Sequence, residues 1–117
     1  MEELYQEIYQ LMKDETGQEG RDFAIGAFSG LGWLYAPYKS ASFDGLYPKI
    51  CLKEQKNAVH VYVTLFVDGK SVIENYTAIF GKSAIGKSCI RVKKLTRQRR
   101  EALEEIINLV VESVKTS

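Results

Sequence analysis

The fold is decided by the stretch Ala58–Phe66 (AVHVYVTLF), read together with Tyr47–Lys53 (YPKICLK) before it. One alternating set in the later stretch is apolar: Val59, Val61, Val63 and Leu65. The other set is polar or aromatic: His60, Tyr62 and Thr64. Period-two alternation is typical of a strand with one face on a core, and Glu54–Asn57 between the two stretches favours a turn. The pair therefore predicts an antiparallel hairpin with one buried face.

Both ends of the chain are predicted to be helical. Glu2–Thr16 repeats apolar residues at helical spacing, and Gly17 after it is suited to a helix C-terminus. Arg97–Val114 follows the capping residue Thr96. Its apolar stripe is nearly ideal for packing on a sheet: Leu103, Ile106, Ile107, Val110, Val111 and Val114.

The segment Phe23–Tyr38 is rich in glycine and aromatic residues, which break helices and favour strands. We predict two short strands there, with a bend near Ser29–Gly32. Tyr38–Gly45 is predicted to be a loop, because Pro37 precedes it and Asp44 and Gly45 form a turn signal.

A short helix and a last strand are predicted in the second half of the chain. Ser71 to Glu74 has the spacing of a capping box, and Gly81 would end the helix. Ser88–Lys94 alternates like a strand, with Ile90 inward and Arg91 outward. The predicted fold class is α+β: a two-layer sandwich in which a mainly antiparallel sheet of about five strands packs against the N- and C-terminal helices.

Composition limits the classes of function. The chain has 117 residues, which suits one domain over residues 1–117, and its net charge of +1 gives no general attraction for polyanions. No segment has the roughly 20 apolar residues of a membrane helix. The N-terminus lacks the features of a secretory signal, and Cys51 and Cys89 are far apart in sequence. We therefore expect a cytoplasmic protein with reduced thiols and no membrane partner.

Charge is unevenly placed along the chain. The first 22 residues hold seven carboxylates against two basic groups. The segment 82–100 holds no carboxylate and eight cations: Lys82, Lys87, Arg91, Lys93, Lys94, Arg97, Arg99 and Arg100. Three interpretations stay open: the two segments face each other, they are solvated, or segment 82–100 binds nucleic acid or an acidic partner.

Gly81–Ser88 matches the phosphate-binding pattern G-x-x-x-x-G-K-[ST] letter for letter. A functional loop of this kind needs a buried strand before it and a long helix after it. Here a short helix precedes the motif and a strand-like segment follows it. The match is therefore interpreted as a coincidence, and we expect no enzymatic activity from it. A weaker anion contact through the loop amides and Lys87 is still compatible with the sequence.

The aromatic residues admit two interpretations. They pack across strands of the sheet, or they line a cleft for a small ligand. Basic groups beside stacked aromatics would also suit single-stranded nucleic acid. The candidate ligand-binding residues are Trp33, Tyr35, Tyr62, Lys87, Ser88 and Arg91. His60 is the only histidine and is interpreted as a packed or surface strand residue.

The chain resembles the YdhG-like domain, a group of small bacterial proteins mostly of unknown function. The segment Gly86–Leu95 (GKSCIRVKKL) before a terminal helix is similar to that group's signature, and Lys56–Val63 resembles its central hairpin. The resemblance implies the same helix–sheet–helix sandwich. Some members are described as frataxin-like, which implies iron delivery. Only the acidic residues of the first helix, Glu2, Glu3, Glu7, Asp14 and Glu15, would suit that role.

The leading functional expectation is a non-enzymatic binding or carrier domain without a cofactor, whose partner is a small molecule or a protein. One alternative is a weak binder of nucleic acid or an acidic partner through segment 82–100. Another is a frataxin-like iron chaperone with weak iron binding on the first helix.

Overall fold

The computed structural model describes residues 2–25 and 28–116 of the chain. Helix α1, Glu2–Thr16, has the predicted bounds. Gly17 ends it in the left-handed conformation, with φ of 71°, and its N–H donates to the Lys13 carbonyl at 2.9 Å. Helix α3, Arg97–Thr116, runs two residues beyond the predicted end. The Thr96 hydroxyl accepts from the Arg99 N–H at 3.2 Å, which confirms the predicted cap.

The main sheet is antiparallel throughout and has five strands in the order β1-β2-β3-β4-β7. Its strands are β1 Arg21–Ile25, β2 Phe28–Lys39, β3 Asp44–Glu54, β4 Val59–Val63 and β7 Cys89–Val92. A separate hairpin contains β5, Phe66–Val67, and β6, Lys70–Ser71. The predicted α+β class, the antiparallel sheet and the two flanking helices are confirmed.

The prediction for the segment Phe23–Tyr38 is wrong in detail. Residues 29–32 do not bend, because they lie in the ladder that pairs β2 with β1. Ile25 pairs with Phe28, so the reversal comes before the predicted bend. The β2 ladder with β3 also extends to the pair Lys39 and Asp44, which shortens the predicted loop. Gly30 and Gly32 therefore lie within a continuous strand and not at a bend.

The connection to β7 begins with the predicted cap. The Ser71 hydroxyl accepts from the Ile73 N–H at 3.4 Å, and a 3-10 helix spans Val72–Tyr76 before the short helix α2, Thr77–Phe80. Gly81 ends α2 with φ of 94°. The predicted helix is therefore present, but its first turns are 3-10 rather than α.

Both long helices pack on the same face of the sheet. The apolar stripe of α3 and the residues Ile8, Leu11 and Met12 of α1 meet the valines of β4 in one buried cluster. Trp33 of β2 is fully buried in this cluster, and its ring nitrogen donates to the Gln18 carbonyl at 3.1 Å. The core therefore lies between the sheet and the two long helices.

We expect Trp33→Ala to lower the free energy of unfolding by about 3–5 kcal/mol, because it leaves a large cavity in the core. The control is Leu46→Ala, which removes a side chain that is 57% exposed and should cost no more than about 0.5 kcal/mol. Urea denaturation followed by circular dichroism measures both values. Equal effects of the two substitutions would contradict the assigned position of the core.

Candidate functional site

The sheet face turned away from the helices is called the outer face. Cross-strand partners in an antiparallel sheet lie on the same face, so the register assigns it. One row across the sheet pairs Lys53 with His60 and His60 with Arg91. The adjacent row pairs Gly32 with both Arg21 and Cys51, and Tyr62 with both Cys51 and Cys89. The buried valines of β4 lie on the opposite face.

Aromatic rings form a continuous row on the outer face. Tyr62 contacts Phe28 with ring centroids 5.0 Å apart, and Phe28 contacts Phe23 at 6.2 Å. Phe23 then contacts Tyr47 at 5.2 Å, and Tyr47 contacts Tyr38 at 5.1 Å. The first four of these side chains are half-buried and Tyr38 is exposed, so each ring keeps part of its surface open. Their planes are inclined to one another by 87°, 58°, 74° and 45° in the same order, and no helix lies above them among the described residues.

Tyr35 also contacts the ring row, because the residue before it, Leu34, has a left-handed backbone conformation. Leu34 has a left-handed φ of 57°, which is costly for a leucine and interrupts the alternation of β2. Trp33 before it lies in the core, whereas the Tyr35 ring contacts Phe23 at 6.2 Å. The Tyr35 hydroxyl also donates to the Arg21 carbonyl at 3.4 Å. The left-handed residue therefore divides two aromatic neighbours between opposite faces.

The outer face is basic. The guanidinium of Arg21 lies 4.3 Å from the centre of the Tyr35 ring, and the Lys53 ammonium lies 5.0 Å from the centre of the Phe28 ring. Cation–π contacts of this length are favourable. The register also places Lys53 and Arg91 opposite His60, one on each neighbouring strand, so both cations lie on this face. Arg91 partly turns aside, because its Nη2 donates to the Ser83 carbonyl at 2.7 Å.

Among the described residues Arg21, Lys53 and Arg91 form no ion pair with a carboxylate. The five strands contain three acidic residues, Asp22, Asp44 and Glu54. Glu54 pairs with the buried Val59, which places it on the helix side, and both Glu54 and Asp22 act electrostatically on Tyr5 of α1. Asp44 lies at the far end of β3, opposite Lys39. Between Arg21 and Arg91 the strand residues of the outer face are therefore basic, aromatic or neutral.

A cavity of about 260 Å³ opens into the outer face. Its walls are formed by the rings of Phe28, Tyr47 and Tyr62 and by smaller side chains, Ile25, Cys51, Thr64 and Ser88. This volume is slightly below the range of roughly 300–1,000 Å³ that is usual for small-molecule pockets. Its lining combines ring surfaces with two aliphatic hydroxyls, which suits a flat group that also forms hydrogen bonds.

The titratable groups of the cavity and its rim are poor catalysts. Burial raises the pKa of the Cys51 thiol to about 12. Burial also raises the pKa of Cys89, although Arg91 and a hydrogen bond from the Tyr62 hydroxyl act in the opposite direction. Burial lowers the pKa of His60, and the charges of Arg91 and Lys53 lower it further. At neutral pH the face therefore offers protonated thiols and a neutral imidazole, which are not activated nucleophiles.

The two thiols are also unsuited to a disulfide. Cys51 and Cys89 both pair with Tyr62, so one strand lies between theirs. Their Cα atoms are then about 10 Å apart, beyond the reach of a disulfide.

The segment Gly81–Ser88 does not have the structure of a phosphate-binding loop. The short helix α2 precedes it, a 3-10 turn covers Lys82–Ala84, and strand β7 follows it. Lys87 is exposed and lines a separate hollow of about 380 Å³ with Lys82 and Glu74. The strand–loop–helix arrangement that aims amides at a phosphate is therefore not formed here.

The arginines at the start of α3 are engaged within the helical layer. Arg99 donates to the carbonyls of Ile79 at 3.3 Å and Lys94 at 2.9 Å. Arg100 Nη1 lies 3.5 Å from Glu7 Oε2 of α1, so the acidic first helix and the basic segment 82–100 do meet. Arg97 is paired only with Glu101, at 3.6 Å, and its side chain is 94% exposed. Segment 82–100 thus divides between the two layers, and Arg91 is its contribution to the outer face.

Within 2–25 and 28–116 no three histidine, cysteine or acidic side chains are grouped as metal ligands. None of the helices in these ranges is long and apolar enough to cross a bilayer.

The structure brings together four of the six candidate ligand-binding residues. Tyr35, Tyr62, Ser88 and Arg91 lie on or beside the outer face, whereas Trp33 lies in the core and Lys87 in the separate hollow. Sequence reasoning missed Arg21, Phe23, Phe28 and Lys53. The sequence contained a signal for Lys53. Lys53 and Cys51 are two positions apart in a predicted strand, so they share the face that pairs with His60 and Tyr62.

Comparison with known proteins finds no matching protein-family model, no similar curated protein and no similar solved structure.

We expect Arg99→Ala to lower the free energy of unfolding by about 1–2 kcal/mol, because two backbone carbonyls lose a charged hydrogen-bond donor. Arg97→Ala, two positions earlier, is the control and should change stability by no more than about 0.5 kcal/mol. Thermal denaturation of the three proteins at one pH measures both effects. A larger loss for Arg97→Ala would contradict the assigned roles of the two arginines.

We also expect no magnesium-dependent hydrolysis of ATP or GTP, because the motif Gly81–Ser88 lacks its structural context. A phosphate-release assay on purified protein and on Lys87→Ala tests this. Turnover by the unaltered protein that disappears in the variant would show that the match is functional after all.

Proposed function

We propose that this protein is a non-enzymatic binding domain of the YdhG-like type, which binds a planar anionic ligand on the outer face of its sheet. The observation that supports it is the coincidence of a ring row with Arg21, Lys53 and Arg91 on a face without an opposing carboxylate. Rings bind flat groups by stacking, and the cations bind the charge.

The arrangement of charges supports a ligand rather than packing alone. Lys53 and Arg91 lie in one row on either side of the neutral His60, and neither forms an ion pair with a carboxylate among the described residues. An anion bound over this row would be attracted by both cations.

Binding is favoured over catalysis by the protonation states of the face. Cys51 and Cys89 have raised pKa values and His60 a lowered one, so a nucleophile paired with a base is not formed among these groups. The iron-chaperone alternative would use the acidic residues of α1. There Glu7 is engaged by Arg100 and Glu15 accepts from Asn108 at 2.8 Å, which gives that alternative less support.

The test is a nuclear magnetic resonance titration of ¹⁵N-labelled protein with adenosine 5′-monophosphate, adenosine and inorganic phosphate. We expect the nucleotide to bind more tightly than either of its parts, and to shift amide signals in β1, β4 and β7 rather than those in α1 and α3. The reason is that the rings and the cations act on different parts of one ligand.

Matched variants locate the site. Tyr62→Leu keeps an apolar side chain but removes the ring, and should weaken nucleotide binding about tenfold or more. Tyr76→Leu is the control, because Tyr76 is equally half-buried but bonds to Glu105 in the helical layer. Equal binding by both variants, or shifts confined to the helices, would refute the proposed site.

A further inference from the structure

The ring row is longer than a single planar ligand requires. From Tyr62 on β4 the ring contacts pass through β2 to β1 and return through β3 to Tyr38 on β2, in four steps of 5.0, 6.2, 5.2 and 5.1 Å. One nucleobase covers about one such step, so a mononucleotide would leave most of the row uncovered. A ligand that matches the row has several planar groups in succession.

The cations are spaced along the same row. Lys53 lies over Phe28 near one end, and Arg21 lies over Tyr35 nearer the other. Arg91 lies across from His60, beyond Tyr62. A ligand that neutralises all of them carries negative charges at intervals, as the phosphates of a single nucleic-acid strand do.

A second copy of the chain is a poor occupant for this face. A two-fold interface brings the same patch from both copies together. Here the patch carries Arg21, Lys53 and Arg91 without opposing carboxylates, so two copies would repel each other. A nucleic-acid duplex also fits poorly, because its bases are already stacked on one another and do not expose their faces to protein rings.

We propose, on the basis of the proposed function, that the outer face binds a single strand of RNA, with successive bases on the ring row and phosphates beside Arg21, Lys53 and Arg91. The cavity next to Phe28 and Tyr62 favours RNA over DNA. Its lining includes the hydroxyl-bearing side chains of Thr64 and Ser88, which suit hydrogen bonds with a ribose 2′-hydroxyl that is both donor and acceptor.

The experiment measures fluorescence anisotropy with labelled RNA of two, four and eight nucleotides, made of alternating adenosine and cytidine so that the strands do not pair. We expect affinity to rise at least tenfold from the dimer to the octamer. Raising the salt concentration should weaken octamer binding with a slope near −2 in log–log form, since about three phosphates are neutralised at roughly −0.7 each.

Substitutions on the face and in the helical layer test the location. Phe28→Leu and Tyr62→Leu keep apolar bulk and should each weaken octamer binding about tenfold. Lys53→Ala should make the salt slope shallower by about 0.7, and Lys70→Ala, on the separate β5–β6 hairpin, should leave it unchanged. Tyr76→Leu and Arg97→Ala are controls in the helical layer, and circular dichroism verifies that every variant is folded.

The outcomes separate this inference from the proposed function. If adenosine 5′-monophosphate binds but the octamer binds no more tightly, the RNA inference is wrong and the proposed function stands. If neither binds, both fail, and a dimer that Tyr62→Leu dissociates would identify a second copy as the occupant. Binding of the matching DNA strand or of the annealed RNA duplex as tightly as the RNA octamer would also overturn the inference, as would loss of binding in Arg97→Ala.

Discussion

Both long helices pack on one face of a five-stranded sheet, and the other features of the molecule follow from this one-sided arrangement. The sheet face beneath the helices is shielded from solvent, so its strand positions carry valine, isoleucine and leucine. Trp33 is also fully buried there. The outer face has no second layer among the described residues and is stabilised by contacts between its own side chains. Aromatic rings serve this purpose because a ring touches neighbours on two adjoining strands while keeping one part open to a ligand.

The distribution of charge follows from the same arrangement. Acidic α1 and the basic start of α3 are neighbours in the helical layer, where Arg100 reaches Glu7 and Arg99 reaches two carbonyls. The helix dipole disfavours cations at a helix N-terminus, and these contacts compensate for it. The cations of the outer face have no such acidic neighbours. The net charge of the whole chain is therefore close to zero although one layer is neutralised internally and one sheet face is basic.

The sequence predicted those parts of the fold that are governed by local pattern. The bounds of α1, the cap at Thr96 and the buried valines of β4 depend only on spacing along the chain, and each was predicted. The reversal before β2 and the separation of Trp33 from Tyr35 were not predicted. Alternation places residues 33 and 35 on one face, and only the left-handed φ of Leu34 separates them. A leucine gives no sequence signal for that conformation, because glycine and asparagine are the residues that usually adopt it.

Two features of this structure are aimed at the outer face. The buried Leu34 stores backbone strain of about 1–3 kcal/mol, and its effect is to turn the Tyr35 ring toward Phe23 and Arg21. Lys53 and Arg91 lie in one row on either side of the neutral His60, without an ion pair to a carboxylate among the described residues. In the core, by contrast, every buried side-chain nitrogen and oxygen has a hydrogen-bond partner among the described residues. Local rules are often broken at functional sites, and this contrast supports the proposal that the outer face binds a ligand.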